Sequence, residues 1–192
     1  TVAVRESTEW ERFLEAVHDK RLCVLLPDGT RDLPLEAILP DVLTDLNVCR
    51  EVSCVVCTGT HDSRAAANVQ QGERIAGLLT KARCAGRTCV HDCRRAQWID
   101  AGRTAWGTPI IYNAVMESAE AFLVLSDVKP HYFAGYSNPV KNFVPGVCHF
   151  DTAERNHSLA LDDRSTFGRH PWHPSERRRD NPLAADMVEG ME

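Results

Sequence analysis

Leu22-Cys23-Val24-Leu25-Leu26-Pro27-Asp28-Gly29 is the stretch on which the fold class turns. Five apolar residues in unbroken succession, halted by Pro-Asp-Gly, read as a strand buried on both faces, the pattern of a parallel sheet. Outward from it, Val52-Ser53-Cys54-Val55-Val56-Cys57 repeats the pattern and stops at Thr58-Gly59-Thr60. Further short strands are expected over 87–91, 108–113 and 121–125. Residues 8–20 set Trp10, Phe13, Leu14 and Val17 on one helical face, with Thr8 as the cap and Glu11 three residues on. Residues 35–46 and 64–82 also read as helices. Strands alternating with helices predict an α/β fold, a mostly parallel sheet covered by helices, as one domain over residues 1–192. From Lys129 to Gly146 the pattern loosens into an irregular loop, whose Tyr132, Phe133, Tyr136 and Phe143 argue against disorder. After Leu161 the chain turns polar, with a short helix expected near 184–189 and more protein expected to follow.

Composition narrows the function classes. The net charge of −5 gives no global basic field for nucleic acid or an anionic membrane, and Arg177, Arg178 and Arg179 read as a solvated loop. No apolar stretch approaches the roughly 20 residues that span a bilayer. Thr1-Val2-Ala3-Val4 carries no signal-peptide pattern and no starting Met, so a processed chain or a fragment is expected. Eight cysteines beside a full hydrophobic core point to reduced thiols in the cytoplasm. Cys49, Cys54 and Cys57 match part of an iron–sulfur run, and Cys84, Cys89 and Cys93 form a looser group. An offset of three places Cys54 and Cys57 on opposite faces of a strand, which favours buried structural cysteines.

Ligands of open α/β sheets bind beyond the carboxyl ends of the strands. Four predicted strands deliver ionisable groups there: Asp28 and Arg31, then His61, then His91 and Asp92, then Asp127, Lys129 and His131. That convergence predicts an active site. His61 and His131 suit acid–base work near neutral pH, or serve as polar loop histidines. Arg31 offers a planar fork to a carboxylate or phosphate, or pairs with Asp28. Thr58-Gly59-Thr60 and Gly135-Tyr136-Ser137-Asn138 can turn backbone N–H groups toward an anion, although tight turns use the same residues. Lys141 reads either as a surface lysine or as a buried nucleophile, and His149 and His157 as imidazole ligands for nickel, zinc or copper.

In these residues the chain resembles the nickel-dependent lactate racemase family, specifically its N-terminal catalytic domain, from about Leu22 to Asp186. Asp28-Gly29-Thr30-Arg31, Thr58-Gly59-Thr60-His61, Pro130-His131 through Ser137 with Lys141 and Pro145-Gly146, and Asn156-His157-Ser158 follow the family's order. The resemblance implies a nickel pincer nucleotide, tethered through Lys141, with His157 completing the nickel coordination. It also implies Thr58, Thr60, Gly135 and Ser137 around the cofactor, and Arg31 with Asp28 at the substrate. His61 and His131 would then flank a small 2-hydroxy acid whose Cα hydride passes to the cofactor and back. A C-terminal domain, absent from this chain, would add substrate contacts. The family's Ser-Gly-Gly-Arg-Lys is here Ser137-Asn138-Pro139-Val140-Lys141, and Asp32-Leu33-Pro34 replaces Pro-Thr-Pro. A racemase or epimerase is thus the first reading, and a divergent homologue that binds nucleotide or metal without turnover the second. A cysteine-ligated iron–sulfur or zinc protein is the third.

Overall fold

Two continuous apolar runs build the centre of the sheet. The computed structural model describes residues 5–31 and 33–192; the expectations for residues 1–4 and for Asp32 lie outside the described residues. Strand β1 (Arg21–Pro27) pairs in parallel with β2 (Glu51–Cys57), register Leu22 to Val52 and Pro27 to Cys57. With β3 (Gly86–Val90) and β6 (Ala121–Val124) they form a four-stranded all-parallel sheet in the order β3-β2-β1-β6. Leu22, Val24 and Leu26 pack with Val52, Cys54 and Val56 against helices α1 (Thr8–Val17), α2 (Leu35–Asp45) and α3 (Ala66–Ala82). The alternate residues Cys23, Leu25, Val55 and Cys57 face a second cluster containing Met116 and Val147. Both faces are therefore covered, as an all-parallel sheet requires. Cys54 and Cys57 do fall on opposite faces.

Several local expectations are corrected. Helix α1 is capped by Ser7, whose side chain accepts from the Trp10 N–H, rather than by Thr8. The 108–113 strand does not join the sheet. As β5 (Pro109–Asn113) it pairs antiparallel with β4 (Trp98–Arg103), which the sequence pattern did not reveal. The stretch expected to be irregular holds the hairpin β7 (Lys129–His131) and β8 (Gly135–Ser137), followed by the short helix α4 (Val140–Phe143). Three-residue strands are too short to display a hydrophobic period, so this hairpin was invisible to pattern reading. After α5 (Phe150–Ser158), the terminal helix α6 (Pro182–Met191) is longer than expected and buried.

Helix α6 packs its Leu183 and Met187 against Val140 and Val144. It also inserts Asp186, which is fully buried. That carboxylate accepts from the Thr104 hydroxyl (2.5 Å), the Thr108 hydroxyl (2.8 Å) and the Asn156 amide (2.7 Å). One acidic side chain thus joins α6, the approach to β5, and α5. Asp186→Ala strands three buried donors at once and should cost at least about 2 kcal/mol, since each unsatisfied buried group costs about 1–3 kcal/mol. Urea denaturation measures this; a loss under about 0.5 kcal/mol would contradict the assignment of Asp186 as a structural lock.

Candidate active site

The carboxyl ends of β1, β2 and β6 open into one cleft of about 540 Å³. Cavities that hold ligands and cofactors run from about 300 to 1,000 Å³. Because β1 and β2 end level, the loop bearing Asp28 and Arg31 lies beside the loop bearing Thr58 to His61. Residues from β7, β8, α4 and α5 close the remaining side.

Asp28 is 3% exposed. One carboxylate oxygen accepts from the Thr30 N–H (3.0 Å) and hydroxyl (2.5 Å), and the other accepts from His61 Nδ1 at 2.5 Å. His61 therefore carries its proton on Nδ1 and keeps the Nε2 lone pair for the cleft. Both oxygens of Asp28, expected at the substrate, are hydrogen-bonded within the protein, one of them to His61. The expected Arg31–Asp28 pair is loose, with Nε 3.9 Å from the carboxylate.

The second centre is built on the hairpin. The Ala134 N–H donates to His131 Nδ1 at 3.2 Å, and His131 Nε2 lies 2.8 Å from Lys141 Nζ. The imidazole and the amine thus form a direct nitrogen–nitrogen pair in which one donates to the other. Electrostatics weaken the hold of both groups on a proton. Burial, then the charge of Arg31, pushes the Lys141 amine down to about 8, while burial and the nearby Lys141, Arg31 and His157 push His131 down to about 4. His157 is also lowered, by burial and Lys141. Phe133 stands edge-on between the two imidazoles, its ring centre 4.5 Å from His131 and 5.3 Å from His157. Tyr132, though largely exposed, stacks on His131 at 4.9 Å.

Of the residues singled out in the sequence, Asp28, Arg31, Thr58, Thr60, His61, His131, Ser137, Lys141 and His157 line this cleft. Gly135 is not among the lining residues. It takes the hairpin turn at φ +76°, where a Cβ would sit 1.9 Å from the Arg169 carbonyl oxygen. Thr58 spends its hydroxyl on the His91 carbonyl at 2.7 Å. His91, expected at the common edge, is fully buried, with Nε2 donating to the Cys148 carbonyl and Nδ1 accepting from Asn113. Burial drives it down to about 4, so it is a neutral structural histidine. His149 caps α5 by accepting from the Asp151 N–H. Among the described residues, no group of three or more His, Cys, Asp or Glu side chains is arranged to hold a metal ion. Sequence reading missed Asn68, Tyr132 stacking on His131, and Asn142. Asn142 and Asn68 have no motif spacing to announce them.

Comparison with known proteins places this geometry in context. The family model for the lactate racemase N-terminal domain matches residues 1–168. The lactate racemase of Thermoanaerobacterium thermosaccharolyticum is 24% identical over 173 residues, covering 88% of this chain and 38% of that protein. The chain thus spans about two-fifths of that relative's length. The structure of the lactate racemase apoprotein from the same organism superposes with a TM-score of 0.73 at 21% identity, over 91% of this chain and 41% of the other. A crystal structure of a Thermotoga maritima protein gives 0.68 at 17% identity, over 94% and 46%. At these identities the structural matches speak for the fold.

The lowered proton affinity of Lys141 makes a direct expectation. Its modification by an amine-reactive reagent, followed by peptide mass spectrometry, should rise with an inflection near pH 8. An inflection near 10.5, the ordinary lysine value, would remove the argument for a readily deprotonated amine.

Proposed function

The chain belongs to the lactate racemase N-terminal domain family, and we propose that it is the catalytic domain of a racemase or epimerase of a small 2-hydroxy acid. The observation that carries this reading is the placing of a carboxylate-backed His61 and a lysine-paired His131 in one cleft with Arg31 and His157. A racemase needs proton acceptors for two mirror-related hydroxyl positions, and two histidines in one cleft meet that need.

The residues present fit a nickel pincer nucleotide. Lys141 offers an amine whose proton is loosened by burial, His157 offers a half-buried imidazole suited to nickel, and the cleft volume admits a mononucleotide. Lys141 would tether the group, His157 would ligate its metal, and Thr60 and Ser137 would meet its polar periphery. When bound, such a cofactor supplies a reversible hydride acceptor. The chain does the rest. Arg31 holds the substrate carboxylate with its planar fork. Asp28 keeps His61 in the tautomer whose Nε2 can take the hydroxyl proton. His131 would serve the opposite hydroxyl position, with the Lys141 amine beside its Nε2.

We place the protein in the cytoplasm, a reading supported by eight free cysteine thiols of which seven are buried. No helix among the described residues is long and apolar enough to cross a membrane. A further domain, as in the longer relatives, is proposed to add substrate contacts over the cleft. One observation favours the second reading, a binding homologue without turnover: Val140 is buried where the family carries an arginine beside the lysine.

Purified protein should contain stoichiometric nickel and show a mass increment on the Lys141 peptide; bound nucleotide without nickel would favour the binding reading. In the cofactor-loaded protein, His61→Ala and His131→Ala should each lower racemisation of the best 2-hydroxy acid by about 10²–10⁴-fold, the usual worth of a general acid–base. Their circular dichroism should stay that of wild type. Full activity in both variants would sink the acid–base assignment.

A further inference from the structure

We propose that Asn68 is a positioning residue that fixes the Asp28–His61 pair by bracing the two loops that carry it, an inference that rests on the acid–base reading of His61. Asn68 lies in the first turn of α3 and is 0% exposed. Its Oδ1 accepts from the Gly29 N–H at 2.9 Å, and its Nδ2 donates to the Asp62 carbonyl at 2.8 Å. Gly29 is the neighbour of Asp28, and Asp62 is the neighbour of His61. A single side chain therefore spans the residue next to each member of the pair, across two loops that share no other side-chain bridge than the pair itself among the described residues.

Asn68 commits both its donor and its acceptor to loop backbone. Gly29 comes so close that a Cβ there would sit 2.2 Å from the Ala67 carbonyl oxygen, so the first loop is pressed onto the start of α3. Beyond that contact, Asp62 O also accepts from Ala65 N at 3.1 Å and His61 N donates to Thr58 O at 3.0 Å, which holds the second loop in a tight turn. Catalytic geometry tolerates errors of only about 0.5 Å, and a short carboxylate–imidazole bond between two loops needs their relative position held by something other than itself.

Two substitutions separate bracing from mere support. Asn68→Asp keeps an acceptor for Gly29 but sets a carboxylate oxygen against the Asp62 carbonyl; Asn68→Ala removes both bonds. The first readout is the ring-¹⁵N spectrum of His61 in the chain without cofactor, assigned by its loss in His61→Ala. Wild type should show the single tautomer with Nδ1 protonated. Both Asn68 variants should shift toward mixed tautomers. In the cofactor-loaded protein, Asn68→Asp should lower kcat about tenfold or more with KM within about threefold, the scale of lost supporting contacts around a catalytic group. Asn68→Ala should change kcat and KM together, because the turn leading to Arg31 loosens too. Should Asn68→Ala fail to fold, Asn68→Asp carries the test. A wild-type His61 tautomer with kcat within twofold in Asn68→Asp, whatever its melting temperature, overturns the proposal. Absence of racemisation by the loaded wild type would instead overturn the functional reading, while the His61 spectrum would still decide the role of Asn68.

Discussion

The parallel register of β1 and β2, with Pro27 level with Cys57, is the constraint on which the site depends. Side chains alternate along a strand, so a slip of one residue would turn Leu22, Val24 and Leu26 away from their helices and move both end loops. With the register held by a core on each face, the chain leaves the sheet at two adjacent points and at the same height. Asp28 and His61 then meet within hydrogen-bond reach although 33 residues separate them. Arg31, Thr58 and Thr60 arrive with the same two loops. The hydrophobic effect decides the register, and the register delivers the chemistry.

Electrostatics divide the cleft into two unlike halves. On the sheet side a buried carboxylate keeps His61 in one tautomer. On the hairpin side Lys141, His131 and His157 gather near Arg31, and burial adds to their mutual repulsion. The result is a lowered proton affinity at the lysine and at both imidazoles. A nitrogen-rich cluster that gives up its protons readily is suited to a metal or an electrophile, and the aromatic ring of Phe133 packs against both histidines.

What could be read from the sequence follows the range of the forces involved. The runs at Leu22 and Val52 announce their strands because burial on both faces needs no partner to be recognised, and the loops after them could be searched for ionisable groups. His91 shows the limit: it follows β3 as His61 follows β2, yet Cys148 and Asn113 claim both its nitrogens, and those partners are 57 and 22 residues away. Asp186, Asn68 and the β7–β8 hairpin were illegible for the same reason. Each is defined by contacts across the fold, and none carries a periodic or spaced pattern. Asp28 was legible as a site residue but not as the support of His61, since its neighbour Arg31 offered an equally plausible partner.

Asn138-Pro139-Val140, the point of greatest departure from the family resemblance, acquires a packing explanation. Asn138 Oδ1 accepts from the Val140 N–H and so starts α4, while its amide nitrogen meets His170 Nε2 at 2.9 Å. Pro139, at φ −53°, suits a helix start, where a missing N–H costs nothing. Val140 is fully buried with Val144, Leu183 and Met187, so α4 is held from within by α6. A flexible glycine pair followed by a charged residue could not make these contacts; the replacement trades loop freedom for a rigid platform under Lys141. The lysine that follows is then aimed by a packed helix rather than by a mobile loop, and the cations available to an anion in this cleft reduce to Arg31 and whichever of the lysine and histidines take up a proton. Any phosphate bound here must therefore rely more on backbone N–H groups and hydroxyls than a site with an arginine at position 140 would.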